Sequence, residues 1–357
     1  MALYRGYSRL YRQLHRAARR RRIVIDCLSE AHYFHIEPVL QRLAEDASND
    51  VSVLAIDGSK ATLPERVATI SRRGLKATAF RPIDLYISLD LNEPPWWLGE
   101  AEVAFFLHGV GTKVNYFATP KLSRFDVVFA PSPFVEEKQR PFLRPGATLL
   151  PAGLPALDRF ASVPSRRYRQ GPPLLLYAPS WSNDRDQISA SPAIIDALIE
   201  QEICDVVIRP HPLLVDDKVG VPNLKEAIAS APLRNPRVRL LTGLGTSIYD
   251  VISDADILMS DISSVLYEFL VFDRPIILGL KETVAGFYEA EGIIAQTRDA
   301  CIELAEAGHL EEAVRTCLKE GDARSAMRGR LLGRMLHNPL NATPVMVDQI
   351  KKLLEDR

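Results

Sequence analysis

Apolar runs recur along this chain, and each closes on turn-forming residues. In the first half they are RRIVIDCLS at 21–29, VSVLAIDG at 51–58, DLYISL at 84–89, EVAFFLHG at 102–109 and DVVFAPS at 126–132, and TLLPAGLPALDRF at 148–160 ends the series. A helix is expected through Glu37–Leu43. The runs are short, rich in β-branched residues and apolar throughout rather than alternating, the pattern of strands buried on both faces. Crossover elements between such strands imply a mostly parallel sheet with helices on both sides. Residues 161–173 (ASVPSRRYRQGPP) lack apolar periodicity and read as a linker. A second series follows, with PLLLYAPSW at 173–181, a helix around 191–203, CDVVIRPHP at 204–212, RVRLLTG at 237–243, ADILMSD at 255–261 and RPIILG at 274–279. The pattern therefore predicts α/β domains over 23–160 and 171–330. From about 299 the composition turns helical, and a C-terminal helical segment, 331–357, interrupted at NPLNATP (338–344), is able to cross back onto the first domain.

The first 22 residues stand apart. Leu3, Tyr7, Leu10 and Leu14 share one helical face, while Arg5, Arg9, Arg12, Arg16 and Arg19 keep the same rhythm on another. Eight arginines and no acid lie in this segment, so the rest of the chain is net acidic although the total formal charge is −1. A basic amphipathic helix with Tyr4 and Tyr11 at its boundary fits an anionic membrane surface, each basic residue contributing about 1 kcal/mol near the interface. A solvated helix, a nucleic-acid tail and an oligomer contact are the other readings. No apolar run is long enough to span a bilayer or to act as a signal peptide.

At 357 residues, 47% apolar and 25% charged, the chain has a globular composition and room for two cores. Cys27, Cys204, Cys301 and Cys317 form no CxxC pair, which argues against a disulfide scaffold and a cysteine-rich zinc site.

Ligands of open α/β sheets bind beyond the carboxyl ends of strands, so polar residues that follow the apolar runs are the candidates. His108 follows AFFL, with Gly109, Gly111 and then Lys113; an imidazole there can act as a base near neutral pH, or simply bond a neighbouring strand. Ser180, in the Pro-Ser-Trp turn, can bind an anion, and Trp181 can wall a site or fill a core. Arg209 and His211 alternate with Pro210 and Pro212 directly after a strand, where guanidinium and imidazole can hold phosphate or form a rigid turn. Asp261 ends the strand of ADILMSD, and Ser263 and Ser264 precede an apolar helix, the place where backbone N–H groups lack partners. Glu268, one turn on, could accept from ribose hydroxyls. A serine-capped helix without ligand is the plain alternative. GxGxxG after the first strand, GxxxxGK[ST], HExxH and GxSxG are all missing, and Asp26, Asp57 and Asp261 have no two-metal spacing.

Taken in order, HGVGTK (108–113), LYAPSW (176–181), RPHP (209–212), the TG turn (242–243) and above all ADILMSDISSVLYEFLVFDRPIIL (255–278) resemble the CDP-glycerol:poly(glycerophosphate) glycerophosphotransferase family, whose members build teichoic acids and related capsule or cell-surface polymers. The likeness covers roughly residues 100–280. It departs from the family pattern at Val-Gly-Thr-Lys after His-Gly and at Asp-Ile-Ser-Ser in the last block.

The resemblance implies an α/β GT-B architecture of two facing Rossmann-like domains with a C-terminal helical tail, the first on the acceptor side and the second holding the nucleotide donor. His108 then matches the acceptor-side base, with Lys113 beside it, and His211 the second essential histidine. Arg209, Ser180, Asp261, Ser263, Ser264 and Glu268 are expected on the donor. The implied reaction moves glycerol phosphate, or a related polyol phosphate, from a CDP-polyol to a hydroxyl of a membrane-linked or cell-surface glycan and releases CMP. No cofactor is required and a divalent metal is optional. The implied partners are the CDP-polyol, a glycan or lipid-linked acceptor and an anionic membrane reached through residues 1–22, without nucleic acid. The implied location is the cytoplasmic face of the membrane, peripherally, or otherwise the cytoplasm. Two alternatives stand beside it: a sugar-nucleotide-dependent GT-B glycosyltransferase, and a non-enzymatic membrane-surface or nucleic-acid-binding protein.

Overall fold

The structure, a computed structural model, describes residues 20–27, 30–54, 63, 65–77, 81–95, 98–164, 171–182, 188–215, 221, 223–242, 246–282, 284–285, 292–320 and 323–355. The basic segment expected at 1–22 lies outside them except for its last three residues, as do Asp57 and the glycine of the TG turn. The described residues make two compact units: those within 1–110, 115–161 and 335–357 form one, and those within 111–114 and 162–334 the other.

The first unit opens with β1 (Arg21–Asp26), helix α1 (Glu30–Glu45), β2 (Asn49–Leu54), β3 (Ala68–Ile70), α2 (Arg72–Ala77), β4 (Leu85–Ser88), β5 (Glu102–Phe106), β6 (Val127–Ala130), α3 (Pro133–Gln139) and β7 (Thr148–Pro151). Its seven strands are parallel, in the order β3-β2-β1-β4-β5-β6-β7. Both faces are covered, as the uninterrupted apolar runs require. Ile23, Ile25, Leu85 and Ile87 point into one core with Val39 and Leu40 of α1, whereas Val24 and Tyr86 pack on the opposite side with Leu54 and Leu75. Ser132 starts α3 by accepting the Val135 N–H at 3.0 Å, the usual role of a serine N-cap.

The second unit comprises β8 (Leu174–Ala178), α4 (Pro192–Glu200), β9 (Asp205–Ile208), α5 (Leu224–Arg234), β10 (Val238–Leu240), β11 (Ile257–Ser260), α6 (Ser264–Phe269), β12 (Ile276–Leu278), α7 (Ile293–Ala300), β13 (Ile302–Glu303), α8 (Leu310–Glu320) and α9 (Ser325–Met335). Its six strands are again parallel, ordered β10-β9-β8-β11-β12-β13. The last helix, α10 (Ala342–Glu355), belongs to the first unit, where Met346 and Ile350 join the core of β1 and α1. Asp158 receives its start, accepting the N–H groups of Ala342 and Thr343 at 3.0 and 2.6 Å.

Each sheet therefore reverses its strand order once, between β1 and β4 in the first unit and between β8 and β11 in the second. At such a switch point the connections leave to opposite sides and open a crevice at the carboxyl ends of the strands. Among the described residues, no helix is long and apolar enough to cross a membrane. All four cysteines are buried.

Candidate functional site

In the first unit the switch-point crevice is lined with histidine. His108 follows β5, and its Nδ1 lies 3.0 Å from the carbonyl oxygen of Leu89, just past β4. A carbonyl only accepts, so Nδ1 carries the proton and Nε2 keeps its lone pair. The strand bond that would make this residue structural thus selects the tautomer a general base needs. Burial lowers the affinity of His108 for a second proton, against the Leu89 bond and the Asp90 carboxylate, which raise it.

Two further histidines, which the strand-end reading missed, complete this crevice. His32 and His35 come from α1, and their rings lie 4.1 and 5.5 Å from that of His108, centroid to centroid. Their signal was the His-Tyr-Phe-His spacing after the first strand: residues three apart on a helix share a face.

The second unit gathers a different set. Asp261, one residue past β11, is 2% exposed. Its carboxylate accepts the Ser180 N–H at 3.1 Å and the Ser180 hydroxyl at 2.8 Å. Both donors of Ser180 are thus committed, which corrects the expectation that this serine binds an external anion: a carboxylate buried at the switch point needs donors, and Ser180 supplies them. Burial still raises the Asp261 pKa, opposed by the Ser180 bonds and by Lys113. Lys113 itself, expected beside the acceptor, groups with the second unit and donates from Nζ to the Trp181 carbonyl at 2.8 Å. The correction follows from the grouping of residues 111–114 with the second unit, whereas His108 belongs to the first.

Arg209 follows β9 and braces its own loop. Its Nη1 donates to the Pro210 carbonyl at 2.8 Å and its Nη2 to that of Thr246 at 2.7 Å. The expected phosphate fork is therefore partly spent on backbone, leaving the second hydrogen of each terminal nitrogen and the Nε–H, which is buried without a partner. Two residues on, His211 accepts the Leu213 N–H on Nδ1 at 3.2 Å and stacks on Trp181, rings 5.3 Å apart. Its neutral form must then carry the proton on Nε2, the opposite tautomer to His108. Burial, with Lys113 and Arg209 nearby, pushes its pKa down to about 4.

Ser263 precedes α6, and its hydroxyl lies 2.9 Å from that of Ser260. Ser260 gives its only hydrogen to the Ala178 carbonyl at 2.5 Å, so Ser263 is the donor in this pair. Ser264 bonds inward to the Glu268 carboxylate, which Tyr249 also reaches, a partner that strand-end reading did not single out. Both serine hydroxyls are thus engaged within the turn, and the donors that remain there are backbone N–H groups at the start of α6. The ribose role expected of Glu268 is corrected by its burial: it is 1% exposed, Oε2 has no hydrogen-bond partner, and desolvation pushes its pKa up to about 7.

Residues 123–289 match the family model described as CDP-glycerol:poly(glycerophosphate) glycerophosphotransferase. No curated protein matches the chain significantly in sequence. Among solved structures, a variant of the wall teichoic acid polymerase TagF superposes with a TM-score of 0.69 at 13% identity, covering 98% of this chain and 94% of that one. A putative UDP-N-acetylglucosamine 2-epimerase from Listeria monocytogenes gives a TM-score of 0.60 at 13% identity, over 95% and 98% of the two chains. The UDP-GlcNAc 2-epimerase from Neisseria meningitidis, bound to UDP-GlcNAc, gives 0.55 at 12%, over 94% and 100%. Identities this low speak for the fold alone, and the chemistry is narrowed by the matched segment. With that segment set in a GT-B fold, the chain is a CDP-glycerol glycerophosphotransferase-like enzyme.

Proposed function

We propose that this enzyme transfers glycerol phosphate, or a related polyol phosphate, from a CDP-polyol to a hydroxyl group of a membrane-linked or cell-surface glycan, with release of CMP. The observation that carries the reading is that the matched segment, 123–289, contains Ser180, Arg209, His211, Asp261, Ser263 and Ser264, the polar cluster at the second unit's strand ends. A further TagF variant, soaked with CDPG, has the same fold at a TM-score of 0.65 and 13% identity.

The acceptor oxygen attacks the phosphorus that bears the polyol. Its proton passes to Nε2 of His108, the new P–O bond forms, and the bond from that phosphorus to the bridging oxygen breaks in line, so that CMP leaves with the electron pair. His211 donates from Nε2 to the departing phosphate, and the remaining N–H groups of Arg209 and of the α6 turn hold the other oxygens. Asp261 and Glu268 shape the turns from beneath and touch no substrate. Residues 1–22 supply peripheral attachment to anionic lipid on the cytoplasmic face.

The test is a donor panel of CDP-glycerol, CDP-ribitol and UDP-sugars, with released nucleotide and product identified by mass. CMP together with a phosphoglycerylated or phosphoribitylated acceptor supports the reading. A nucleoside diphosphate with a glycosylated product replaces it by sugar transfer, in which an anomeric carbon is attacked. Sedimentation with phosphatidylglycerol vesicles, before and after deletion of residues 2–20, tests attachment: unchanged pelleting removes that part of the proposal.

A further inference from the structure

We propose that His32 is a positioning residue for His108: its imidazole, packed at 4.1 Å across the β1/β4 crevice, holds the base ring in plane and keeps water from its buried side. The inference rests on the reading of His108 as acceptor-side base. The Leu89 carbonyl anchors that ring at Nδ1 alone, and a ring fixed at one atom can still swing about the bond. His32 supplies the second point of contact, with ring planes 46° apart, and His35 stands behind at 5.5 Å. Three elements thus converge on one imidazole: α1 with two histidines, the turn after β4 with Leu89 and Asp90, and the turn after β5 with His108 itself.

The charged groups around the cluster make it hold a single proton. Asp90 favours protonation of both His108 and His32, while burial opposes it. A proton on His108 further disfavours one on His32, whose pKa is pushed down to about 4, and on His35, which also faces Arg159. Arg159 in turn lies 3.4 Å from Glu37 of α1. The proton taken from the acceptor therefore stays on His108 and is not passed to its neighbours. Among the described residues, no group of three or more His, Cys, Asp or Glu side chains has the arrangement of a metal site, so the trio is not read as one.

The experiment follows the histidine ring signals by NMR through a pH titration of the unliganded full chain, with His108→Asn used to assign His108. Wild type is compared with His32→Phe, which keeps a bulky apolar ring, and with His32→Ala and His32→Gln, which admit water. The expected result is a His108 midpoint below the usual 6.5 in wild type, retained in His32→Phe and raised by about one unit in His32→Ala or His32→Gln. The acid limb of kcat/KM should move by the same amount. If His32→Ala does not fold, His32→Gln carries the comparison. One His108 midpoint common to wild type and all folded variants overturns the proposal. Absence of CMP release by wild type from every CDP-polyol overturns the functional reading instead, and leaves the titration to be judged on its own.

Discussion

Ser180 and Asp261 meet across the reversal of the second sheet, the serine giving both its backbone N–H and its hydroxyl to one buried carboxylate. Strands β8 and β11 are neighbours although more than eighty residues separate these two side chains, so the pair ties the turn that carries Trp181 to the turn that leads into α6.

Replacing Ser180 by Ala should cost about 1–3 kcal/mol at pH 7, because a buried carboxylate loses a hydroxyl donor without water to replace it. The carboxylate's pKa, already raised by burial, would rise further. The loss should therefore be largest where Asp261 is ionised and shrink in acid, once it is protonated in both proteins. Urea unfolding of the two proteins at pH 7 and pH 4 checks this. A loss that is equal at the two values would mean that Asp261 is not the group affected.

Glu268 should give the enzyme a falling stability between acid and neutral pH. Its folded pKa, about 7, lies above the ordinary 4.5, so the native state binds the extra proton. The stabilisation is complete below about 4.5 and is lost as pH rises through about 7, an effect of a few kcal/mol from the size of the shift. Glu268→Gln keeps an acceptor for Tyr249 and Ser264 and cannot ionise, so the difference between variant and wild type isolates this group. Unfolding free energies from pH 4 to pH 8 should diverge in favour of the glutamine variant as pH rises.

The strands and the parallel character of both sheets were readable because residues such as Ile23, Val24 and Ile25 are buried on alternate faces and so form an unbroken apolar run. The edge strand β3 escaped notice: it has three residues, Ala68, Thr69 and Ile70, none of them fully buried. Strand β13 is two residues long inside a helical stretch, and carries no period. Strand-end logic puts His108, His211, Arg209 and Asp261 just past β5, β9 and β11, a position that follows from the local run alone. It did not reach what those side chains bond to. Ser180 faces Asp261 and Tyr249 faces Glu268 through strand order, and His32 meets His108 because β1 lies next to β4 while β5 lies beyond it. Such pairings are set by long-range packing, on which local periodicity is silent.

Gly153 should tolerate no side chain. Its φ of +89° is the left-handed region, and an added Cβ would stand 2.3 Å from the His337 carbonyl oxygen and 2.9 Å from the Ala342 Cβ. The close approach lets the chain before α10 lie against the ends of β6 and β7, and the His337 N–H reaches the carbonyl of Pro131, just past β6, at 2.8 Å. Gly153→Ala combines backbone strain with a clash against backbone, so a destabilisation of at least about 3 kcal/mol is expected. Chemical denaturation measures it, and a change under about 1 kcal/mol would mean that the α10 segment shifts freely.

His108 and His211 should fail in different ways when removed, because their tautomers are opposite. Nδ1 of His108 is occupied by the Leu89 carbonyl, which leaves Nε2 to accept; Nδ1 of His211 is occupied by the Leu213 N–H, which leaves Nε2 to donate. A base works only when unprotonated, so the proposed role gives the acid limb of the pH profile to His108. A donor whose pKa is about 4 is neutral and still carries its Nε2 proton throughout the neutral range, so His211 contributes no limb above about pH 5. His108→Ala should therefore lower kcat by about 10²–10⁴-fold and abolish the acid limb, with CDP-glycerol affinity by calorimetry unchanged. His211→Ala should lower kcat by about 10²–10³-fold, the usual loss of one preorganised donor, and keep the wild-type limb. Full pH profiles of both variants decide the matter: an acid limb lost with His211 and kept without His108 would reverse the two roles.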